Sequence, residues 1–265
     1  MVAIEHPGHP HAHEAAPVNR IGNADLRAAL AAGFRDFRET RGDLIFAGLF
    51  YPLIGFVTAT LTLGTRGLPL LFPLFAGLSL MGPLVATGFY EIARRRELGL
   101  DAGWKHYFDA FRRPAFDGIV AVGALLFGLF MLWMLAAAGV WFTFLGAANP
   151  ESVGEMVRLV FTTREGLEMA LVGSLIGFCF AVVVLITSAV SLPMLVDRDV
   201  SARQAIATSV AAARENPGTI ARWGLTVAVL LVVGAIPFLI GLAVVLPVLG
   251  YATWHLYKRV VVRTM

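Results

Sequence analysis

The sequence predicts an all-α membrane protein: six transmembrane helices arranged as three helical hairpins, each preceded by an amphipathic helix on the cytoplasmic surface. Three observations predict it. Hydrophobic residues make up 58% of the chain and charged residues 15%, whereas a soluble domain carries about 25% charged residues. Six apolar stretches can be drawn, each near the ~20 residues that take a helix across a ~30 Å hydrocarbon core. Lys and Arg gather at the ends of those stretches on one side, the pattern of membrane orientation and not of a nucleic-acid face.

Residues 1–19 read as a disordered, His-rich leader and residues 20–265 as the six-span domain. No apolar run of the signal-peptide kind precedes the first span, so no cleavable signal is expected. The spans lie near 44–63, 68–92, 116–142, 167–192, 219–235 and 237–257. In lipid the backbone must satisfy its own hydrogen bonds, which requires helices, and the alternating pattern of a membrane barrel is absent. The last two spans form one apolar stretch broken at Gly234 and Pro237. A single helix of that length would overshoot the bilayer, so the break reads as a tight hairpin.

Of the 21 Lys and Arg residues, 18 fall on the N-terminal segment, the second and fourth connections and the tail. Arg66, Arg158 and Arg164 fall on the other side. The positive-inside rule makes the rich side cytoplasmic, with both termini there.

A repeat underlies this plan. Leu26, Leu30, Phe34 and Phe37 share one helical face, and Leu100, Trp104, Phe108 and Phe111 repeat the same offsets. Ala202, Ile206, Val210 and Ala213 form a plainer third version behind a Ser201-to-Gln204 capping box. Each leads to a Gly or Pro break and then a span. Pro83, Pro193 and Pro247 occupy matching places in the even-numbered spans, ahead of Arg94, Asp197-Arg198 and Lys258. On the opposite side, Ser152 and Glu155 open a short helix with a capping box, and Thr162-Thr163 cap the fourth span.

These features resemble an uncharacterised family of bacterial six-span membrane proteins, defined as a domain of unknown function. The stretches that carry the likeness are 28–37, 82–91 and 109–114, and it extends over roughly residues 20–260. More distantly, Ser191–Ala213 resembles membrane domains attached to some glycerophosphodiesterases. The resemblance implies a bacterial inner membrane and no chemistry. Some family members are labelled as a cytochrome oxidase subunit, but an oxidase core needs several His ligands inside the spans. Here only His255 lies near one.

Candidate sites each have a plainer reading. His6, His9, His11 and His13 could capture Zn, Ni or Cu. Interleaved Pro and Gly prevent a preformed cage, so a leader without specific ligation is the simpler account. Glu91 and Asp197 are transport candidates, being acids at the membrane edge. The simpler account of Glu91 is an ion pair with Arg94 or Arg95 at helical spacing. Arg94, Arg95, Arg96, Trp104, Lys105, Arg112 and Arg113 form a collar suited to anionic lipid headgroups or a partner, or simply to topological anchoring. The hydroxyls within the spans could line a polar path or bond to their own helices. A Walker loop, a GxSxG elbow and an HExxH helix are absent. The expectation is a non-enzymatic inner-membrane protein without cofactor or nucleic-acid partner. It would bind membrane lipid or serve a membrane complex as an accessory or scaffold component. The alternative is a small-solute or lipid transporter using kinked helices.

Overall fold

The computed structural model describes residues 15–40, 71–146, 148, 150–237 and 239–262. The leader histidines His6, His9, His11 and His13, the first predicted span and the start of the second lie outside the described residues. Within them the chain is helical. The one β-type pairing is a bridge between Val18 and Val261, which run antiparallel.

The elements are α1 (Asn23–Glu39), α2 (Leu71–Leu80), α3 (Gly82–Val85), α4 (Thr87–Glu97), a 3₁₀ helix (Trp104–Arg112) and α5 (Phe116–Leu145). Then come α6 (Val153–Thr162), α7 (Arg164–Ser188), α8 (Ser191–Asp197), α9 (Ala202–Glu215), α10 (Pro217–Ala235) and α11 (Leu242–Val260). Local chemistry sets many of the ends. Ser152, Thr163 and Ser201 each accept a backbone N–H three residues on, from Glu155, Gly166 and Gln204, and so cap α6, α7 and α9. Pro217 opens α10, where its missing N–H costs nothing.

Three runs are long and apolar enough to cross a membrane: α5, the α7–α8 run Arg164–Asp197, and α10. Leu71–Gly77 and Gly82–Glu97 make a fourth if counted as one span, bent by 45°. Pro83, in the first turn of α3, lies at the bend, because a proline cannot supply the N–H of a continuous helix. The sixth predicted stretch differs from expectation. It becomes helical at Leu242 and not at Pro237, carries Pro247 inside it, and ends on Lys258 and Arg259. Residues on nearly every side of it are buried, including Tyr251, Trp254, Leu256 and Tyr257. It is the central core helix.

The core lies where α4, α8, α10 and α11 meet, filled by Phe89, Ile92, Leu192, Met194, Trp223 and Trp254. Helix α1 closes it from one side. An added Cβ at Gly33 would sit 2.5 Å from the Ala252 nitrogen and 2.7 Å from the Val248 oxygen. The two backbones therefore touch, a spacing that only glycine permits. The face of α1 that packs is Leu26, Ala29, Ala32 and Gly33. The larger Phe34 of the predicted stripe is half exposed. On α9 the buried residues are Ala205, Thr208, Ser209, Ala212 and Ala213, with Ile206 only half-buried. Helix α7 is the opposite case: it buries Gly166, Val184 and Ser188 and leaves the rest of its surface largely bare.

Candidate functional site

Ionisable side chains converge at one end of the helices, next to the core. Helix α4 delivers Glu91, whose carboxylate takes two hydrogen bonds from the Arg94 guanidinium, at 2.8 and 2.9 Å. The Glu91 side chain is 1% exposed, so the pair is desolvated and its geometry matters. Helix α8 delivers Asp197, and α11 delivers Tyr257 and Lys258. The Tyr257 hydroxyl donates to Asp197 at 2.8 Å, and the Lys258 ammonium reaches both Asp197 oxygens at 3.2 and 3.3 Å. Lys258 also pairs with Glu97 at 3.3 Å and lies 5.1 Å from the Trp254 ring centroid. Asp197 is within electrostatic reach of Arg94. The two transport candidates thus belong to one cluster, Glu91–Arg94 and Asp197–Tyr257–Lys258–Glu97, built by α4, α8 and α11.

The three consecutive arginines part company, because a helix turns about 100° per residue. Arg94 goes to Glu91. Arg95 reaches Asp109 at 3.5 Å, beside His106. Arg96 crosses to α1, where it pairs with Glu39 and lies 3.7 Å from Asp36. Asp36 is also 2.7 Å from His255 of α11. Arg113 donates to the Val196 carbonyl at 3.2 Å. Of the predicted collar, then, Arg94, Arg95, Arg96 and Arg113 tie this molecule's own elements together. Lys105 and Arg112 pair with Asp101 and Asp109 but remain largely exposed, as does Trp104.

Around the 3₁₀ helix, His106 bridges Asp109 at 2.6 Å and Asp101 at 3.3 Å. The His106 hydrogen bond, with Arg112 and Arg95 nearby, holds the Asp109 carboxyl below the usual carboxylate range. Lys105 does the same for Asp101, helped by the Gly103 N–H and His106. A second polar knot fixes the ends of the described chain. The Asn216 side chain accepts from the Ile21 N–H at 2.8 Å and donates to the Asn19 and Ala212 carbonyls at 3.0 and 3.2 Å. The Asn19 N–H donates to Val260 at 2.7 Å. Residues 15–22 are thereby stitched to both α9 and the tail, and both ends lie on the charged side.

Five span hydroxyls among the described residues bond to nearby helix backbone. Ser79, Thr87, Thr187, Ser188 and Ser191 each donate to a carbonyl three or four residues earlier. Two surface hollows lie away from the cluster. One of about 260 Å³ is lined by Phe144, Leu159, Thr163 and Glu165 at the opposite end, and one of about 570 Å³ by Ala15, Val18, Val210 and Arg214. Neither borders Glu91 or Asp197. Among the described residues no group of three or more His, Cys, Asp and Glu side chains is placed to hold a metal ion.

Sequence reasoning missed Asp36, His255, Tyr257 and Asn216 as partners. Asp36 reads locally as the polar side of α1, and its contact is 219 residues away. Asn216 reads as a helix break, which it is, but its side chain does the stitching.

The apolar spans and their charged end define an all-helical integral membrane protein. Residues 71–197 match the model of a family described as a predicted integral membrane protein, DUF2189. That stretch holds Glu91, the arginine run and Asp197, and is narrower than the 20–260 expected from the sequence. No curated protein and no solved structure matches, so the likeness to glycerophosphodiesterase membrane domains finds no counterpart there.

Proposed function

We propose that this chain is a non-enzymatic membrane protein, an accessory or scaffold component that holds lipid or another membrane protein against its exposed spans. The observation that carries the reading is helix α7. Leu167, Leu171, Leu175 and Phe178 form one continuous exposed stripe along it, each more than half exposed. Such a face is larger than its own chain covers and needs an apolar neighbour. Support also comes from the charged end, where acids and bases are paired with one another across elements. Native mass spectrometry of the gently solubilised protein tests the reading. A retained phospholipid or partner subunit is expected; a bare monomer overturns it.

The same proposal includes six spans in three hairpins, in a bacterial inner membrane with both termini cytoplasmic. What supports the arrangement is that α11, at 19 residues, reaches about 28 Å, and that α10 and α11 run together across a turn. Gly234 packs there against Gly241, Leu242 and Val245. The proline-bearing segments ahead of Arg94, Asp197 and Lys258 meet in one cluster, which favours an internal repeat.

A second reading, transport, is favoured by one observation. The bent segment Leu71–Glu97 carries buried Glu91, and broken helices bearing an acid occur at transport sites. Solute flux in proteoliposomes decides it: flux unchanged in Glu91→Gln removes Glu91 from any transport role.

A further inference from the structure

The 3₁₀ helix Trp104–Arg112 has two unlike faces. Its inner face is fixed. Ala110 is fully buried, the Tyr107 ring occupies the space where Gly88 would carry a side chain, and the Tyr107 hydroxyl donates to the Val85 carbonyl. Its outer face is apolar and aromatic. Phe108 is 55% exposed and Phe111 38%; Trp104, 47% exposed at the helix start, heads the neighbouring row of Tyr107 and Ala110 and borders the facet. Nine residues of 3₁₀ helix is a long run for that geometry, which is usually confined to three or four. Eclipsed i, i+3 positions put Phe108 and Phe111 on one facet, with ring centroids 6.5 Å apart.

The facet has a definite place relative to the bilayer. Phe111 meets Phe116 edge to face at 6.2 Å, and Phe116 is the first residue of the spanning helix α5. Exposed apolar residues of α5 run from Phe116 to Phe142, about 39 Å at 1.5 Å per residue, longer than the ~30 Å hydrocarbon core, so the ends of the band reach the interface. The facet beside Phe116 therefore sits at the edge of that core, at the level where aromatic rings concentrate. Its charge is also one-sided. Residues 94–113 contain six basic and three acidic residues, an excess equal to the net charge of +3 of the whole chain. With Arg94 neutralised by Glu91 and Arg96 by Glu39, both from outside the segment, an excess of one positive charge remains. The Lys105 and Arg112 side chains are 64% and 84% exposed, so each keeps donors for a second acceptor beyond Asp101 and Asp109.

We propose that this facet is a membrane-interface anchor for anionic phospholipid: Phe108 and Phe111 seat among the tops of the acyl chains with Trp104 at the facet's edge, and Lys105 and Arg112 bind headgroup phosphates. The proposal needs only that α5 spans the bilayer and is independent of the scaffold reading.

The test uses the full chain in nanodiscs of phosphatidylcholine, with and without phosphatidylglycerol. In a Cys179→Ser background, which removes the only native thiol, Phe108→Cys carries an environment-sensitive fluorophore. Trp104→Cys is a second probe of the facet, and Leu171→Cys on α7 is a control inside the bilayer. Spin labels near the headgroup should quench the Phe108 and Trp104 probes at least about twofold more than labels deep in the chains, while the Leu171 probe shows the reverse order. Iodide should quench the facet probes little. Strong iodide quenching there, or shielding from every quencher by a protein neighbour, overturns the anchor while the Leu171 control still reports a correctly inserted protein. In native mass spectrometry, Lys105→Gln/Arg112→Gln should retain several-fold less phosphatidylglycerol than the unaltered protein. Equal retention overturns the headgroup assignment.

Discussion

Glu91 and Arg94 show how a buried pair constrains what a single substitution can reveal. Two short hydrogen bonds hold a carboxylate that is 1% exposed. Removing one partner strands the other charge, a loss of about 3–5 kcal/mol, whereas replacing both by apolar residues of similar volume is often neutral or stabilising. Glu91→Gln is accordingly expected to lower the thermal unfolding midpoint in detergent, and Glu91→Leu/Arg94→Met to restore it. A double variant as unstable as the single would mean that the electrostatic coupling of Arg94 to Asp197 carries the stability. Asn216 is a second such point. Its loss leaves the Ile21 N–H and Asn19 carbonyl without their side-chain partner, at about 1–3 kcal/mol for each that stays buried. Asn216→Ala should therefore expose the 15–22 strap to limited proteolysis at protease levels that leave the unaltered protein intact. Asn216→Asp keeps the acceptor and should fall between. At the 3₁₀ helix the question is one of pH. The Asp109 carboxyl titrates below the ~3.9 of an unfolded aspartate because His106, Arg112 and Arg95 favour its charged form. A lowered folded value means that its contribution is fully present above the unfolded value and is lost as pH falls through the folded one. Amide-exchange protection of Trp104–Arg112, corrected for intrinsic rates, should stay level from neutral pH down to about pH 5 and drop only below about pH 4. Asp109→Asn should show weakened protection at neutral pH and a smaller acid step, the remainder coming from Asp101.

Helix ends were legible because their signals are local. The caps at Ser152, Thr163 and Ser201, the start of α5 at Phe116 and the proline start of α10 all follow from short spacings, and the structure has them. The packing face of α1 was legible in part: Leu26 is buried and Leu30 and Phe37 pack against the core, while Phe34 is half exposed. The eye follows large apolar residues, whereas a close helix crossing also selects the smallest. Ala29, Ala32 and Gly33 contribute little to any hydrophobic pattern, yet they let α1 approach the α11 backbone. Gly33→Leu should drive a side chain into the Ala252 backbone, which cannot swing aside as a rotamer can. Overpacking of this kind costs about 1–3 kcal/mol or more, and the loss would appear in thermal unfolding. Phe34→Ala, at a half-exposed position on the same helix, should change it far less. An equal loss from the two would mean that the close approach at Gly33 carries no special weight in the packing of α1.

At the scale of the molecule, the charged end shows why the site was only partly readable. Glu91 with Arg94 is an i, i+3 pair and could be anticipated, but Asp36 with His255 and Asp197 with Lys258 join segments far apart in sequence. Periodicity encodes a helix and its faces, not which helix will stand beside it. The termini carry a consequence that can be checked. Val18 pairs with Val261, and Arg259 reaches Asp25 at 3.1 Å, so both ends of the described chain lie on the same side of the helices. Helices α5 and α7 run from that side to α6 and back. In the Cys179→Ser background, single cysteines at Arg20 and Arg263 should therefore be labelled by a membrane-impermeant maleimide from one side of sealed vesicles. A cysteine at Glu151, ahead of α6 and exposed, should be labelled from the other. The proposed orientation adds that Arg20 and Arg263 react in inverted vesicles and Glu151 in intact spheroplasts, since the arginine-rich side stays cytoplasmic. Labelling of Arg20 and Arg263 from opposite sides would require an odd number of spans, and would mean that α11 does not cross as the partner of α10. Labelling of all three from one side would remove α5 and the α7–α8 run from the membrane, against their length and apolar surface. The same-side result with Glu151 opposite fixes an even number of spans in all, with an odd number on each side of Glu151.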